Sequence, residues 1–409
     1  MAVETVVSAP MKNAKEMKAG NRLHVLRLLR RESLSRSELA DRIGLTRAAM
    51  SLIIGDLLVD GLVLEAARRK SAAGRRPVPV ELNPEYAYSL GLTISRTGSE
   101  AGVADMCGRL ICRQPIDIAG LSRQQSLRRM KECLRELMCK YSSPTGRWLG
   151  LGISTPGPVD VAAGTILNPP NFDIWHDVCL AAEMKDLGLA NVCLENNAQA
   201  LTMAEKTFGA GRQSKSFVLL EIEAGIGSGI VIKDGLYSGW RGFGNEIGHT
   251  SIDLNGPLCS CGLRGCVEMY ASVPRVLAKA QKKSSRITDW RTFMDRATAG
   301  DALCSRLLKE QAQALGTAIV NVINVLELDA VVLTGDVLYR GEMLRADIER
   351  ILSETAINRW LRHVPVLLSP LGERPELMAA AGIPAEKFFQ GLVEPTKVRL
   401  HKKTAGGKR

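Results

Sequence analysis

Apolar residues recur at helical spacing through the N-terminal region and then change period. Within 20–31, Leu23, Leu26, Leu28 and Leu29 fall at the intervals of an amphipathic helix. Ser35-Arg36-Ser37-Glu38 follows, a hydroxyl and a carboxylate three apart in the pattern of a capping box. The helix that it opens has Leu39, Ala40 and Ile43 as apolar positions, and Gly44 supplies a turn. Thr46 is placed to cap a second helix, with Ala49, Met50, Ile53, Ile54, Leu57 and Leu58 on its inner side and an end near Asp60-Gly61. Beyond Gly61 the period shortens. Leu62-Val63-Leu64 and 78–82 read as short strands around 66–77, a loop rich in Arg, Gly and Ala. The pattern predicts a winged helix-turn-helix over 19–84, closed by Asn83-Pro84.

From Tyr86 onward β-type and helix-type runs alternate, the pattern of an α/β domain, here in two lobes over 85–393. Strands are expected at 88–95, 101–106, 149–154, 192–195, 217–222, 228–233 and 330–334, and helices at 122–141, 198–208, 301–326 and 341–354. No repeat of short period is visible. Residues 1–18 read as a disordered lead-in without the apolar stretch of a signal peptide, and 394–409 as a basic tail. No stretch approaches 18 consecutive apolar residues, so no membrane span and a cytoplasmic protein are expected. A chain of 409 residues exceeds one compact core, in keeping with two or three domains.

Charge sharpens the reading of the N-terminal unit. Residues 1–80 hold 15 Lys and Arg against 8 Asp and Glu, a surplus of 7 out of the chain's net +11. A basic end on a near-neutral body fits a polyanionic partner, although a solubilising face has the same composition. In a helix-turn-helix the second helix enters the major groove and its first turns reach base edges. Here those turns offer Thr46, Arg47, Ala48 and Ser51, with Ser35 at the start of the preceding helix. Ala48 is small enough to touch a thymine methyl. The wing loop carries Arg75 and Arg76, suited to a narrow minor groove. The alternative is a helix-turn-helix that docks protein; capping box, Gly44 turn, basic wing and local charge together favour double-stranded DNA.

Ten cysteines in a cytoplasmic chain argue against a disulfide framework. Cys107, Cys112, Cys133, Cys139, Cys179, Cys193 and Cys304 are scattered among apolar residues and read as small core side chains. Cys259, Cys261 and Cys266 stand apart, with His249 shortly before them. One His and three Cys complete a tetrahedral shell of structural Zn2+, with no position left open for catalysis. The bland alternative is three chance cysteines and a core histidine.

The run from Gly248-His249 through Cys259-Ser260-Cys261-Gly262-Leu263-Arg264-Gly265-Cys266 to Glu268 resembles the signature of the ROK family: repressors, open reading frames and sugar kinases. Leu82-Asn83-Pro84 resembles the joint between the two domains of ROK repressors of the N-acetylglucosamine/xylose group, and 152–160 the family's sugar-side loop. Leu194-Glu195-Asn196-Asn197-Ala198 falls where the kinases carry Glu-Asn-Asp-Ala. The resemblance implies a two-lobed actin-like ATPase (ribonuclease H-like) sugar-kinase-type domain, a monosaccharide or sugar derivative in its cleft, and a homodimer or homotetramer. Carried over, the sugar contacts are Gly157, Asn171, Asn196, Asn197, Glu246, His249 and Glu268. Amides and carboxylates supply the donors and acceptors that hydroxyls need. Read without the resemblance, Glu246 and Glu268 are surface carboxylates and Asn171 a turn residue after two prolines.

Two departures separate this chain from the kinases. Asn197 stands where they carry the aspartate that acts as general base, and an amide takes no proton from a sugar hydroxyl near neutral pH. Residues 91–97 stand where they carry a Gly-rich phosphate loop, with Thr93 for the acid and Ser95 and Arg96 for glycines. The run 224–229 keeps alternate glycines, which a β-hairpin explains as well as a phosphate loop does. The expectation is therefore no catalytic residue and a sugar-responsive regulator, a repressor of carbohydrate uptake or catabolism genes. The alternatives are an ATP-dependent sugar kinase with a regulatory DNA-binding domain, and a regulator released by a docked protein.

Overall fold

The computed structural model describes residues 14–66, 78–96, 98–170, 172–240, 242–357, 359–372 and 375–398. Arg75 and Arg76 of the expected wing and Asn171 of the expected sugar set lie outside them.

The head of the molecule contains α1 (Ala14–Arg31), β1 (Leu34–Ser35), α2 (Arg36–Ile43), α3 (Arg47–Val59), β2 (Val63–Glu65) and β3 (Pro79–Leu82). The capping box forms as read: Ser35 Oγ accepts from Glu38 N, and the Glu38 carboxylate accepts from Ser35 N at 2.8 Å. Gly44 ends α2 at φ 77°, a left-handed conformation that a side chain disfavours, and Thr46 caps α3. The three strands pair in the order β1-β3-β2. Helix α1 begins at Ala14, so the expected disordered stretch 1–18 is helical over its last residues.

The body has two lobes of one topology. In the first, β4 (Tyr88–Ile94), β5 (Ser99–Ala104) and β6 (Leu110–Ile116) form an antiparallel meander. Helix α4 (Arg123–Lys140) leads to β7 (Arg147–Thr155), which pairs parallel with β4. Three short strands, β8 (Val159–Asp160), β9 (Thr165–Ile166) and β10 (Val178–Cys179), and α5 (Leu180–Glu183) intervene before β11 (Val192–Asn196), parallel to β7. After α6 (Asn197–Phe208) the second lobe repeats the scheme. Strands β12 (Phe217–Ile222), β13 (Ile226–Ile232) and β14 (Gly235–Tyr237) form the meander. Helices α7 (Glu268–Ala271), α8 (Val273–Gln281), α9 (Trp290–Thr298) and α10 (Ala302–Leu326) precede β15 (Ala330–Gly335), which is parallel to β12. Helix α11 (Glu342–Thr355) leads to β16 (Val366–Leu368), parallel to β15, and α12 (Glu376–Gln390) returns to the first lobe. The strands and helices expected in the body all form, within two residues at each end. The last strand, β17 (Thr396–Lys397), pairs with Trp148 and Arg147, so the expected tail 394–409 begins inside the first sheet.

Helices α6 and α12 lie between the sheets, where Ala200, Leu201 and Ala204 meet Phe217, Leu219, Ala379 and Ile383 in one buried cluster. Helix α12 approaches its sheet at backbone distance. Gly102, Gly91 and Gly152 are register partners on adjacent strands β5, β4 and β7. A methyl group at Gly152 would lie 1.9 Å from the Ala380 carbonyl oxygen, and one at Gly91 2.8 Å from Ala381 Cβ. Pro384, with no N–H, leaves that carbonyl without its helical donor. Ser89 Oγ donates to the next carbonyl, Ala381 O, at 2.7 Å. The far end of α12 joins the core of the head, where Phe388 and Phe389 cluster with Val25, Leu29 and Leu57.

Candidate functional site

A cleft of about 1060 Å³ opens between the lobes. Its first-lobe wall is the β4–β5 turn, with Thr93, Ser95 and Arg96, and the segment carrying Phe172 and Trp175. The Arg96 guanidinium ties these together by donating to Pro170 O at 2.8 and 3.1 Å. Its floor is Asn197 at the start of α6, and its opposite wall is Glu221 and Glu223 of the second lobe with Glu376 at the start of α12.

The floor is built by capping. Asn196 holds the N-cap of α6, its Oδ1 accepting from Ala198 N at 3.0 Å and Gln199 N at 3.4 Å. Its Nδ2 would lie 2.6 Å from a Cβ at Gly157, so Gly157 and Asn196 are neighbours. Asn197 Nδ2 donates to Glu221 Oε2 at 2.7 Å. Glu221, Glu223 and Glu376 bring carboxylate oxygens within 4.8 Å of one another. Burial, then the two neighbouring carboxylates, hold the Glu221 carboxyl well above its ordinary range. The same causes push Glu223 up to about 7, with burial first and Glu376 and Asp336 after it. A wall that retains protons near neutrality both donates to and accepts from hydroxyls.

The run 224–229 is the turn and first residues of the β12–β13 hairpin, and it separates this wall from a second polar group. A Cβ at Gly227 would meet Glu221 Oε2 and Ala198 Cβ, both at 2.9 Å; one at Gly225 would meet Glu268 Oε2 at 2.7 Å. At Gly227 the hairpin thus passes close over Ala198 of α6, and at Gly225 close to the Glu268 carboxylate. Glu268 Oε2 accepts from Ile226 N at 3.1 Å. Glu246 adjoins both His249 and Glu268; crowding by protein around its carboxyl raises its pKa, against the lowering effect of His249. The described sugar-set residues thus form two neighbouring groups, Gly157, Asn196 and Asn197 on one side of the hairpin and Glu246, His249 and Glu268 on the other. Of them only Asn197 lines the cleft itself. Glu221, Glu223 and Glu376 escaped the sequence reading. The visible signal was two acids at alternate positions of an otherwise apolar strand, FVLLEIE.

Cys259, Cys261, Cys266 and His249 bring their ligand atoms within 4.8 Å of one another. Cys259 Sγ lies 3.6 Å from His249 Nδ1, and Cys261 Sγ lies 3.6 Å from Cys266 Sγ. Those spacings suit a tetrahedron with metal–sulfur bonds of about 2.3 Å and a metal–nitrogen bond of about 2.1 Å. The sulfurs sit on a tight loop: Ile252 N bonds Gly265 O at 2.9 Å, and Cys259 N bonds Leu263 O at 2.8 Å. The cluster could therefore hold a metal through His249 Nδ1.

On the head, Arg47, Ala48 and Ser51 are exposed on the face of α3 away from the core, beside the exposed cap Thr46. Ser35 is not on that surface. The residue is 3% exposed, and its hydroxyl is spent on Glu38 Oε2 at 2.7 Å, which assigns it to the capping box.

The ROK family model matches residues 90–383, nearly the whole two-lobed body. A xylose repressor of Bacillus spizizenii is 27% identical over 372 residues, covering 91% of this chain and 96% of its own length. A glucokinase of Thermotoga maritima is 29% identical over 314 residues, covering 73% of this chain and 98% of its own. Among solved structures, a ROK family transcriptional regulator homologous to the Escherichia coli MLC protein superposes with a TM-score of 0.78 at 24% identity, over 92% of this chain and 98% of that one, a likeness of fold. With the family's pattern matched across both lobes, the chain belongs to the ROK family.

Proposed function

We propose that this protein is a sugar-responsive DNA-binding regulator, a homo-oligomeric repressor of carbohydrate uptake or catabolism genes that a sugar releases from its operator. The observation that carries the reading is the head: a capped helix pair and a β-ribbon on a basic segment, joined through a shared core to a ROK body. The repressor relative aligns along 91% of the chain and the glucokinase relative along 73%. We read the head as a winged helix-turn-helix that meets double-stranded DNA through Thr46, Arg47, Ala48 and Ser51, with Arg75 and Arg76 on the wing.

The sugar is held by Gly157, Asn171, Asn196, Asn197, Glu246, His249 and Glu268. Zn2+, bound by His249, Cys259, Cys261 and Cys266, supplies a fixed charge that locks the loop 249–268. Ligation through Nδ1 leaves the His249 Nε2 proton to face a hydroxyl. The sugar acts by binding one arrangement of the lobes more tightly than the other, which moves the heads.

Kinase activity is the second reading, favoured by the glucokinase relative. Against it, the residue at the base position is an amide whose N–H is engaged by Glu221 at 2.7 Å. Titrating the operator complex with monosaccharides and their derivatives tests the first reading: a sugar-dependent loss of affinity supports it, and constant affinity with every sugar removes the inducer role. Robust ADP release with sugar and ATP would establish the kinase.

A further inference from the structure

The solvent-facing side of α3 carries a large apolar side chain. Leu52 is 73% exposed, while Met50, Ile53, Ile54 and Leu57 of the same helix are buried. It lies one turn beyond Ala48 and next to Ser51, on the face that begins with Arg47. Isolated exposed leucines are common, so its position rather than its exposure carries weight.

That face is prepared for an anionic partner. Its first acid, Asp56, sits beyond Leu52 and is neutralised by Lys18 Nζ at 2.7 Å. The next, Asp60, pairs with Arg22. The N-terminus of α3 points the positive end of its dipole toward the same region. Ser51 Oγ donates to Arg47 O at 2.8 Å, so its hydroxyl is left to accept rather than to donate outward. Between Arg47 and Asp56 the exposed chemistry is therefore a methyl (Ala48), an acceptor (Ser51) and an isobutyl group (Leu52).

Of the four bases, only thymine presents an apolar group in the major groove, its 5-methyl. We infer that Leu52 reads a thymine methyl in each half-site of the operator. The inference rests on the DNA-binding reading above. Val59 is a natural comparison: it is 89% exposed, but it ends α3, two turns past Leu52 and beyond the reach of the groove floor.

The experiment selects bound duplexes from a random library with the full-length protein, then replaces each thymine of the consensus by uracil, which lacks the methyl. The wild type should lose affinity about fourfold at one thymine per half-site, the worth of about one buried apolar carbon. Leu52→Ala should bind more weakly overall and ignore that replacement, and Val59→Ala should behave as the wild type. If no thymine is methyl-sensitive, or Leu52→Ala keeps the sensitivity, the inference is overturned while DNA binding stands. If Leu52→Ala instead changes only the oligomeric mass, the side chain serves a contact between copies and the inference is also overturned. Failure to select any duplex removes both readings.

Discussion

The cleft's second wall puts Glu223 in an unusual position for an acid near solvent. Its carboxyl titrates at about 7 in the folded chain against an ordinary 4.5, so between those values the folded state binds more protons than the unfolded one. Stability then falls as pH rises through that window. Glu223→Gln should flatten the decline in Tm between pH 5 and pH 7, measured by thermal scans; an unchanged slope would place the proton elsewhere. At the loop 249–268, Cys266 is fully buried and belongs to the cysteine cluster. Cys266→Ser should reduce bound zinc from about one per chain to near zero by mass spectrometry of the metal, with Tm lower by several degrees. At this scale the sequence was informative where chemistry is dense. The Cys and His spacing marked the cluster that the fold assembles, because few other roles bring three thiols within eight residues. The carboxylates of the cleft were not legible, because Glu376 meets Glu221 and Glu223 only through a long-range return of the chain.

Among the elements, α12 links two regions that sequence treats separately. It starts with Glu376 in the cleft and ends with Phe388 and Phe389 against the head. Arg30 of α1 fastens that end: its guanidinium meets Glu386 at 2.5 Å and lies 4.6 Å from the Phe389 ring centroid. Arg27 Nε donates to Phe389 O at 2.7 Å. Arg30→Ala should leave sugar affinity intact while shrinking the sugar-induced change in operator affinity from at least about fivefold to below about twofold, read by paired titrations. An undiminished response would route the coupling past α12. This helix was invisible to hydrophobic periodicity for a physical reason. It is buried on most sides, and its run AAAGIPA has neither a polar face nor the absence of Gly and Pro that marks a helix. The amphipathic helices 122–141 and 301–326, with one wet face each, were legible almost to their ends.

For the whole molecule, the two lobes share the strand order 3-2-1-4-5, a duplication of topology that leaves no visible repeat in the sequence. Core packing constrains which residues are apolar, not which they are, so the two halves keep the architecture with different side chains. The division of charge was legible, with a surplus of 7 in the first 80 residues. It predicts an operator affinity that falls at least tenfold between about 50 and 200 mM salt, with sugar affinity nearly constant, by anisotropy at each ionic strength. Salt-independent DNA binding would exclude phosphate contacts as its main source.

The glycine row beneath α12 gives this arrangement its mechanical character. Side chains between a helix and a sheet act as a compliant layer that absorbs small displacements; here the Leu377 and Ala380 carbonyls rest on the bare backbone of Gly91 and Gly152, and over that stretch the layer is thin. The helix of 15 residues becomes a rod of about 22 Å held to one lobe between Leu377 and Pro384. A tilt of about 5° at the cleft would carry its far tip about 2 Å, more than the tolerance of a hydrogen bond to a base edge. Such a lever would carry a movement of the cleft to the head without melting any segment, because Gly91 and Gly152 leave it little slack.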